Sequence, residues 1–418
     1  MTIVIENEMT GLGYEQIKQS LQRSLEGRNL KKVLLIPPDI TRASSGGGLI
    51  TSIYYEILSG VHVDILPALG THAPMTREEQ IYFFGADIPE DRYLVHRWRD
   101  GVTKIGEIPA EFVADVSEGL MTNAMEVEVS DYILDPSYDL IISIGQVVPH
   151  EVAGIANYTK NIVVGCGGSR FINNSHMLGA FYGMERIMGR DHSPVRKVFD
   201  YAQDNFICKL PIEYTLTVTT VTDENVNILG LYIGQGRGIF EQAVKMSQKH
   251  NLNYTDVPFK TCVVWLDERE FHSTWLGNKA IYRTRMAMAD GGHLIILAPG
   301  VKMFGEDGEN DRLIRKYGYA GKKKVLELCK TEEDLRGNLS AAAHLIHGSS
   351  DDRFRITYAA KNLTRQEVEA VNYEYMPFEQ AIARYDPKQL KQGHNTLPDG
   401  EEVYFIENPA LGLWTTGM

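Results

Sequence analysis

The sequence predicts an α/β protein of two domains, each a Rossmann-like layer of mixed or parallel strands flanked by helices. Three observations carry the prediction. Short apolar runs, KVLLI at 32–36, LIISI at 140–144 and CVVWL at 262–266, read as strands buried on both faces. They alternate with amphipathic stretches of helical period, as strand–loop–helix units do. A chain of 418 residues also exceeds what one average core organises.

In chain order, a short strand is predicted at 2–6 and an amphipathic helix at 14–25. The 32–36 strand ends at Pro37-Pro38, and the loop DITRASSGGG (39–48) opens a helix at 49–58. Strand, glycine-rich loop and helix is a phosphate-cradling arrangement, because glycines let backbone N–H groups approach an anion at a helix start. The loop is neither a Walker A motif nor GxGxxG, so a plain βα turn is the competing reading. A second strand at 61–68 ends in Leu69-Gly70-Thr71-His72, and Thr76 with Glu79 predicts a capping box for the next helix. Residues 86–139 are less legible. Within them His96-Arg97-Trp98-Arg99 suits a site lining, a subunit contact or a half-solvated strand.

The most informative stretch is IISIGQVVPHEVAGIANYTKNIVVGCGGSRFINNSHM (141–177). It reads as strand, loop, a second strand at 161–165, and a loop past Gly167-Gly168. His150 falls just beyond the first strand, where side chains gather in open α/β sheets. Lys160 follows ten residues later, and His176 closes the stretch. A helix at 177–188 comes next, then another from Ser193-Pro194 with His192 on the surface or as a cap. A β-hairpin at 212–233 turns on Asp223-Glu224-Asn225, and a helix at 239–250 follows. The polar segment 251–258 marks the boundary between a first domain at 1–256 and a second at 257–399. The latter has strands at 262–266 and 294–297, helices at 279–289, 322–329, 333–343 and 365–370, and a strand at 403–405 in the tail.

Composition narrows the function. The 43% hydrophobic and 23% charged fractions fit an ordinary globular protein, and a net charge of −13 argues against a nucleic-acid partner. No apolar run approaches the ~20 residues that span a bilayer. The acidic start lacks a secretory pattern, so the expected compartment is the cytosol, without a membrane partner. The four cysteines form no Cys-x-x-Cys pair, and Cys166, between glycines, reads as a packed thiol rather than a reactive one.

Four ordered motifs resemble one family. They are Asp39-Ile40-Thr41-Arg42, Leu69-Gly70-Thr71-His72 with Glu78 and Glu79 downstream, Pro149-His150 with Lys160, and Asn174-Ser175-His176. The pattern resembles that of the nickel-pincer nucleotide-dependent lactate racemases and related hydroxyacid racemases and epimerases, through most of the chain and more weakly beyond about residue 257. The resemblance implies an active site in the cleft between two domains and a tail (400–418) packed back on the first. It implies that His72 and His150 are paired acid/base groups, that Lys160 tethers the pincer through a thioamide, and that His176 ligates its nickel. Asp39 and Thr41 would support the cofactor side of the site, and Arg42 would hold substrate. It also implies loading by cofactor-synthesis enzymes, and a homo-oligomer is allowed.

The chemistry agrees. Removing hydride from a hydroxylated carbon beside a carboxylate needs an electrophile that no side chain provides, and inverting the centre through a 2-keto acid asks for a base for each stereoisomer. Near-neutral imidazoles suit that need. Each residue also has a plain structural reading: Lys160 as a solvated loop lysine, His176 as a buried hydrogen-bonded ring, Asp39 as a helix cap. Closer lactate racemases carry proline after the Thr-Arg pair, where this chain has Ala43, and a Gln/Lys pair on a helix over the substrate. Here the comparable helix offers Arg283 and Met286, with Lys279 and Arg285 nearby, so Arg283 and Lys279 are expected at the substrate and His272-Ser273-Thr274 could meet extra hydroxyls. The expectation is a 2-epimerase of a sugar acid such as D-gluconate. The alternatives are a racemase of lactate or another short 2-hydroxy acid, a zinc or iron hydrolase using His72, His150 and His176, and a non-catalytic sugar-acid-binding protein.

Overall fold

The computed structural model describes residues 2–222, 225–410 and 412–417. The chain divides into two compact units, residues 1–178 with 187–251, and residues 179–186 with 252–418. The division after Asn251 falls at the end of the helix Arg237–Asn251, slightly before the position expected from the polar segment.

The first unit is built on a six-stranded sheet in the order Ile3–Glu6, Asn225–Gly234, Ile212–Thr222, Leu140–Gln146, Lys32–Ile36, His62–Ile65. The last four run parallel, Asn225–Gly234 runs against them, and Ile3–Glu6 pairs antiparallel with Asn225–Gly234. Val33, Leu34, Leu35, Ile36, Ile142 and Ile144 are fully enclosed, as runs without polar alternation require. Lys32–Ile36 is followed outward by His62–Ile65, while Leu140–Gln146 lies on its other side. The strand order therefore reverses between the ends of Lys32–Ile36 and Leu140–Gln146, where open α/β sheets bind ligands. The predicted hairpin is present, but Asp223 and Glu224 of its turn lie outside the described residues.

Three local expectations are corrected along residues 161–188. Residues 161–165 form a π-helix, Asn161–Gly165, rather than a strand. The strands on either side of the crevice already pair with each other, so no ladder edge is open to this segment. Its backbone closes on itself instead, with Cys166 N–H donating to Asn161 O. His176 stands within a helix, Ser169–Tyr182, rather than in a loop before one. The Asn-Asn-Ser run that disfavours helix is overridden because Phe171, Ile172, Ser175 and Leu178 bury one face. Gly183, at φ 99°, ends that helix where the sequence had suggested continuity to 188.

The second unit carries another six-stranded sheet, in the order Glu374–Tyr375, Arg355–Ala360, Met288–Ala298, Phe259–Trp265, Glu402–Ile406, Gly393–Thr396, parallel except at the last pair. The helix expected over 279–289 stops at Thr284, since Met288 already pairs with Phe259. That expected over 333–343 is broken at Gly337, and Asn338 caps a new helix, Leu339–His347. Glu402–Ile406 is an inner strand of the second sheet, and Leu413–Thr415 pairs with Leu252–Tyr254. Among the described residues no helix is long and apolar enough to cross a membrane.

Candidate active site

The site begins with the turn after Lys32–Ile36. Asp39 is 3% exposed and caps the 3-10 helix Ile40–Ser45, accepting from Thr41 N–H at 3.1 Å and Thr41 Oγ1 at 2.5 Å. Its other oxygen, Oδ2, lies 2.6 Å from His72 Nδ1. Burial raises the Asp39 pKa, but the His72 ring, the Thr41 hydroxyl and the Arg42 charge outweigh it and hold the carboxyl below its ordinary value. An ionised carboxylate only accepts, so His72 carries its proton on Nδ1 and presents the Nε2 lone pair. Asp39 is a cap and also the orienter of His72, while Thr41 orients Asp39.

The glycine run serves close packing rather than a phosphate cradle. Gly46, Gly47 and Gly48 are buried, Gly47 N–H is taken by Ser45 Oγ, and a Cβ on Gly48 would lie 1.9 Å from Phe83 O.

His150 follows Leu140–Gln146 and is 4% exposed. The N–H groups of Val152 and Ala153 donate to its Nδ1 at 3.1 and 3.3 Å, so the proton sits on Nε2, which faces Glu151 Oε1 at 3.5 Å. His72 and His150 thus hold opposite tautomers, one baring Nε2 and the other protonated there. Glu151 was not singled out from sequence, although it adjoins His150. Its charge acts on both Lys160 and His176.

Lys160 opens the π-helix beside Asn161, whose side-chain amide donates to Ile36 O at 3.1 Å and Ser143 Oγ at 3.0 Å and so spans the ends of both central strands. Burial, reinforced by the nearby charge of Arg42, brings the Lys160 pKa down to about 7. A half-neutral amine at physiological pH is nucleophilic, unlike a solvated loop lysine. His176 Nδ1–H donates to Ile172 O at 2.7 Å, which leaves the Nε2 lone pair for a ligand. Burial first, and the Lys160 charge second, lower its pKa to about 4, so the ring is neutral near pH 7. His96 supports this part from behind, with its Nε2–H donating to Gly167 O at 3.0 Å while Trp98 O accepts from Ser169 N–H. The basic-aromatic cluster therefore steadies the turn into the His176 helix. Cys166 is fully buried, and burial pushes its thiol far above the ordinary range, as a packing role requires.

The electrostatic couplings join Asp39, Arg42, His72, Glu151, Lys160 and His176 into one constellation. Of the residues expected from the second unit, Arg283 is fully buried on the helix Lys279–Thr284, all of whose residues are buried. Lys279 lies 3.5 Å from Glu270 and over the Phe271 ring, and Arg285 pairs with Glu185 at 2.7 Å. Ser273 Oγ caps Leu276 N and contacts Glu306, and Thr274 Oγ1 bonds to Phe304 O and Tyr319. Those two hydroxyls are not available for extra substrate hydroxyls.

His72, His150 and His176 do not converge as a ligand set, contrary to the hydrolase alternative. Among the described residues the group that does is Asp191, His192 and Glu241, on which Arg237 also converges. Ser193, not His192, caps the Pro194–Asn205 helix.

Residues 12–187 match the model of the lactate racemase N-terminal domain. A lactate racemase of Lactiplantibacillus plantarum is 25% identical over 236 residues, 53% of this chain and 50% of that protein, so the chain spans about half the length of this curated relative. A crystal structure of a Thermotoga maritima protein superposes with a TM-score of 0.84 at 26% identity, over 98% of this chain and 99% of the other. The lactate racemase apoprotein of Thermoanaerobacterium thermosaccharolyticum shares the fold, with a TM-score of 0.69 at 17% identity over 97% and 93% of the two chains.

Proposed function

We propose that the chain, whose residues 12–187 match the lactate racemase N-terminal domain, works as a member of the lactate racemase family and inverts the C2 centre of a 2-hydroxy acid with a nickel-pincer nucleotide. The observation that carries this reading is the pairing of a depressed lysine, Lys160, with His176 in its metal-ligating tautomer, inside the constellation that also holds the Asp39–His72 pair. The residues fit such a group: Lys160 offers an amine that loses its proton readily, and His176 offers a bare Nε2 suited to nickel. When bound, the group supplies a reversible acceptor for hydride, which the side chains lack.

The chain's own residues then handle protons and orientation. His72 Nε2 accepts the hydroxyl proton, and Asp39 stabilises the imidazolium that forms. His150 Nε2–H is placed to donate a hydrogen bond to the substrate oxygen, its ring fixed by the two backbone N–H groups at Nδ1, while the proton taken up by His72 is the one returned to that oxygen when the hydride comes back. Arg42 offers its fork to the substrate carboxylate.

Within this class the substrate we favour is a sugar acid such as D-gluconate, on the strength of Ala43 and Ser44 standing where closer lactate racemases carry proline. A short acid such as lactate is the second reading, favoured by the engagement of Ser273 and Thr274 within their own unit. Protein made alongside the cofactor-synthesis enzymes should carry a covalent mass increment on Lys160 and one nickel per chain. It should turn over D-gluconate faster than lactate, without exchanging the C2 hydrogen in D2O. A chain with no adduct under those conditions, or with zinc and hydrolytic activity, sinks the reading. Equal or faster turnover of lactate sinks the sugar-acid assignment alone.

A further inference from the structure

Arg196 is among the largest fully buried side chains of the molecule, yet it belongs to none of the motifs above. It lies in the first turn of the helix Pro194–Asn205. Among the described residues no carboxylate hydrogen-bonds it. Its Nη2 donates to Ile155 O at 2.5 Å and Asn157 O at 3.3 Å, its Nη1 donates to Asn157 O at 3.4 Å, and its guanidinium lies 4.5 Å from the Phe240 ring centre. Burying a guanidinium without a directly bonded carboxylate is costly, and an aliphatic side chain would pack there more cheaply. What only arginine supplies is a planar fork reaching two carbonyls at once.

The same helix holds the neighbouring residues. Ser193 Oγ donates to Ala153 O at 3.2 Å, and Gln203 Oε1 accepts from Thr159 Oγ1 at 3.1 Å. One helix therefore grips the carbonyls of residues 153, 155 and 157 and the hydroxyl of 159, along the whole span from His150 to Lys160. That span needs holding. Asn157 and Tyr158 are consecutive non-glycine residues at φ 68° and 58°, a conformation that costs each of them energy.

We propose that Arg196 is a positioning residue, which by clamping the carbonyls of Ile155 and Asn157 fixes the distance and direction from the His150 ring to the Lys160 amine. The clamp turns a strained loop into a rigid arm that holds the backbone between His150 and Lys160 in one conformation. This role rests on the reading of Lys160 as an attachment point, but its physical content is testable in the chain without any cofactor.

The experiment compares full-length wild type with Arg196→Gln and Arg196→Lys. Hydrogen exchange is followed by mass spectrometry, and acetic anhydride labelling of Lys160 is followed as a function of pH. In R196Q the amides of residues 154–160 should exchange roughly ten-fold faster while the 212–234 hairpin is unchanged, and the labelling midpoint of Lys160 should move up toward that of a surface lysine. R196K keeps the charge but not the fork, so it should show the faster exchange with a smaller midpoint shift. If R196Q does not fold, the exchange of R196K decides alone. Wild-type protection and an unchanged Lys160 profile in the folded variants would overturn the proposal. Absence of any adduct on wild-type Lys160 after co-production, with the apo results as expected, would instead count against the attachment reading and leave the clamp standing.

Discussion

At the scale of single residues, the site is made by fixing where protons sit. Asp39 gives His72 the tautomer of a base, and Asp39→Asn removes the negative charge that stabilises the protonated ring. The expected outcome is a fall in kcat/KM of about 10²- to 10⁴-fold with the fold intact, measured on loaded enzyme with racemisation followed by polarimetry. Lys160 shows the opposite relation between function and stability. Its pKa is about 7 in the folded chain against an ordinary 10.5, so between those values the unfolded chain binds more protons and stability rises with pH. Near pH 7 and below, the enclosed amine is therefore a cost. Lys160→Met should raise the melting temperature of the apo chain at pH 7, with the advantage shrinking toward pH 10. An unchanged melting temperature at both values would mean that the amine is not enclosed as described.

At the scale of elements, the parts legible in the sequence were those governed by short-range rules. The buried strands at 32–36 and 140–146 announce themselves by unbroken apolar runs, and Thr76 and Ser193 do so as caps. Asp39, His72 and His150 could be placed beyond strand ends from their motifs alone, because such motifs are read without knowledge of packing. The local shape around them was not legible. Whether 161–165 becomes strand or π-helix depends on a sheet edge being open, and whether 169–176 coils or winds depends on burial of Phe171 and Ile172. Neither is a property of the segment itself. The burial of Arg283 was not legible for a related reason, since a basic residue on a helix reads as exposed until the whole helix proves to be buried. The span from His150 to Lys160 makes the same point by test. Gly145, at φ 158°, leaves room for the Asn157 side chain, and a Cβ there would lie 1.9 Å from Asn157 Nδ2. Gly145→Ala should displace the Asn157 loop, cost about 1–3 kcal/mol in chemical denaturation, and reduce cofactor loading at Lys160 by intact mass. A variant as stable and as fully loaded as wild type would show that the loop tolerates a shift the geometry forbids.

At the scale of the whole molecule, the buried His96 and the partly buried His176 tie the first unit's stability to acidity. His96 and His176 each have a folded-state pKa of about 4, in both cases chiefly because burial disfavours the charged ring. Their unfolded value is near 6.5, so between pH 6.5 and 4 the unfolded chain binds more protons than the folded one, and stability falls as pH is lowered through that window. Each ring contributes on the order of 3 kcal/mol to this loss, enough for the pair to dominate a marginal fold. The two can be separated because only His176 is proposed to hold metal. In the apo chain, His96→Gln should flatten the acid limb of a melting-temperature profile between pH 6.5 and 4. Nickel loading should deepen the limb, since acid then also has to displace the metal from a neutral imidazole. If apo and nickel-loaded protein follow the same profile below pH 6, the proton on His176 and the metal do not compete for one nitrogen, and the Nε2 assignment at that ring fails.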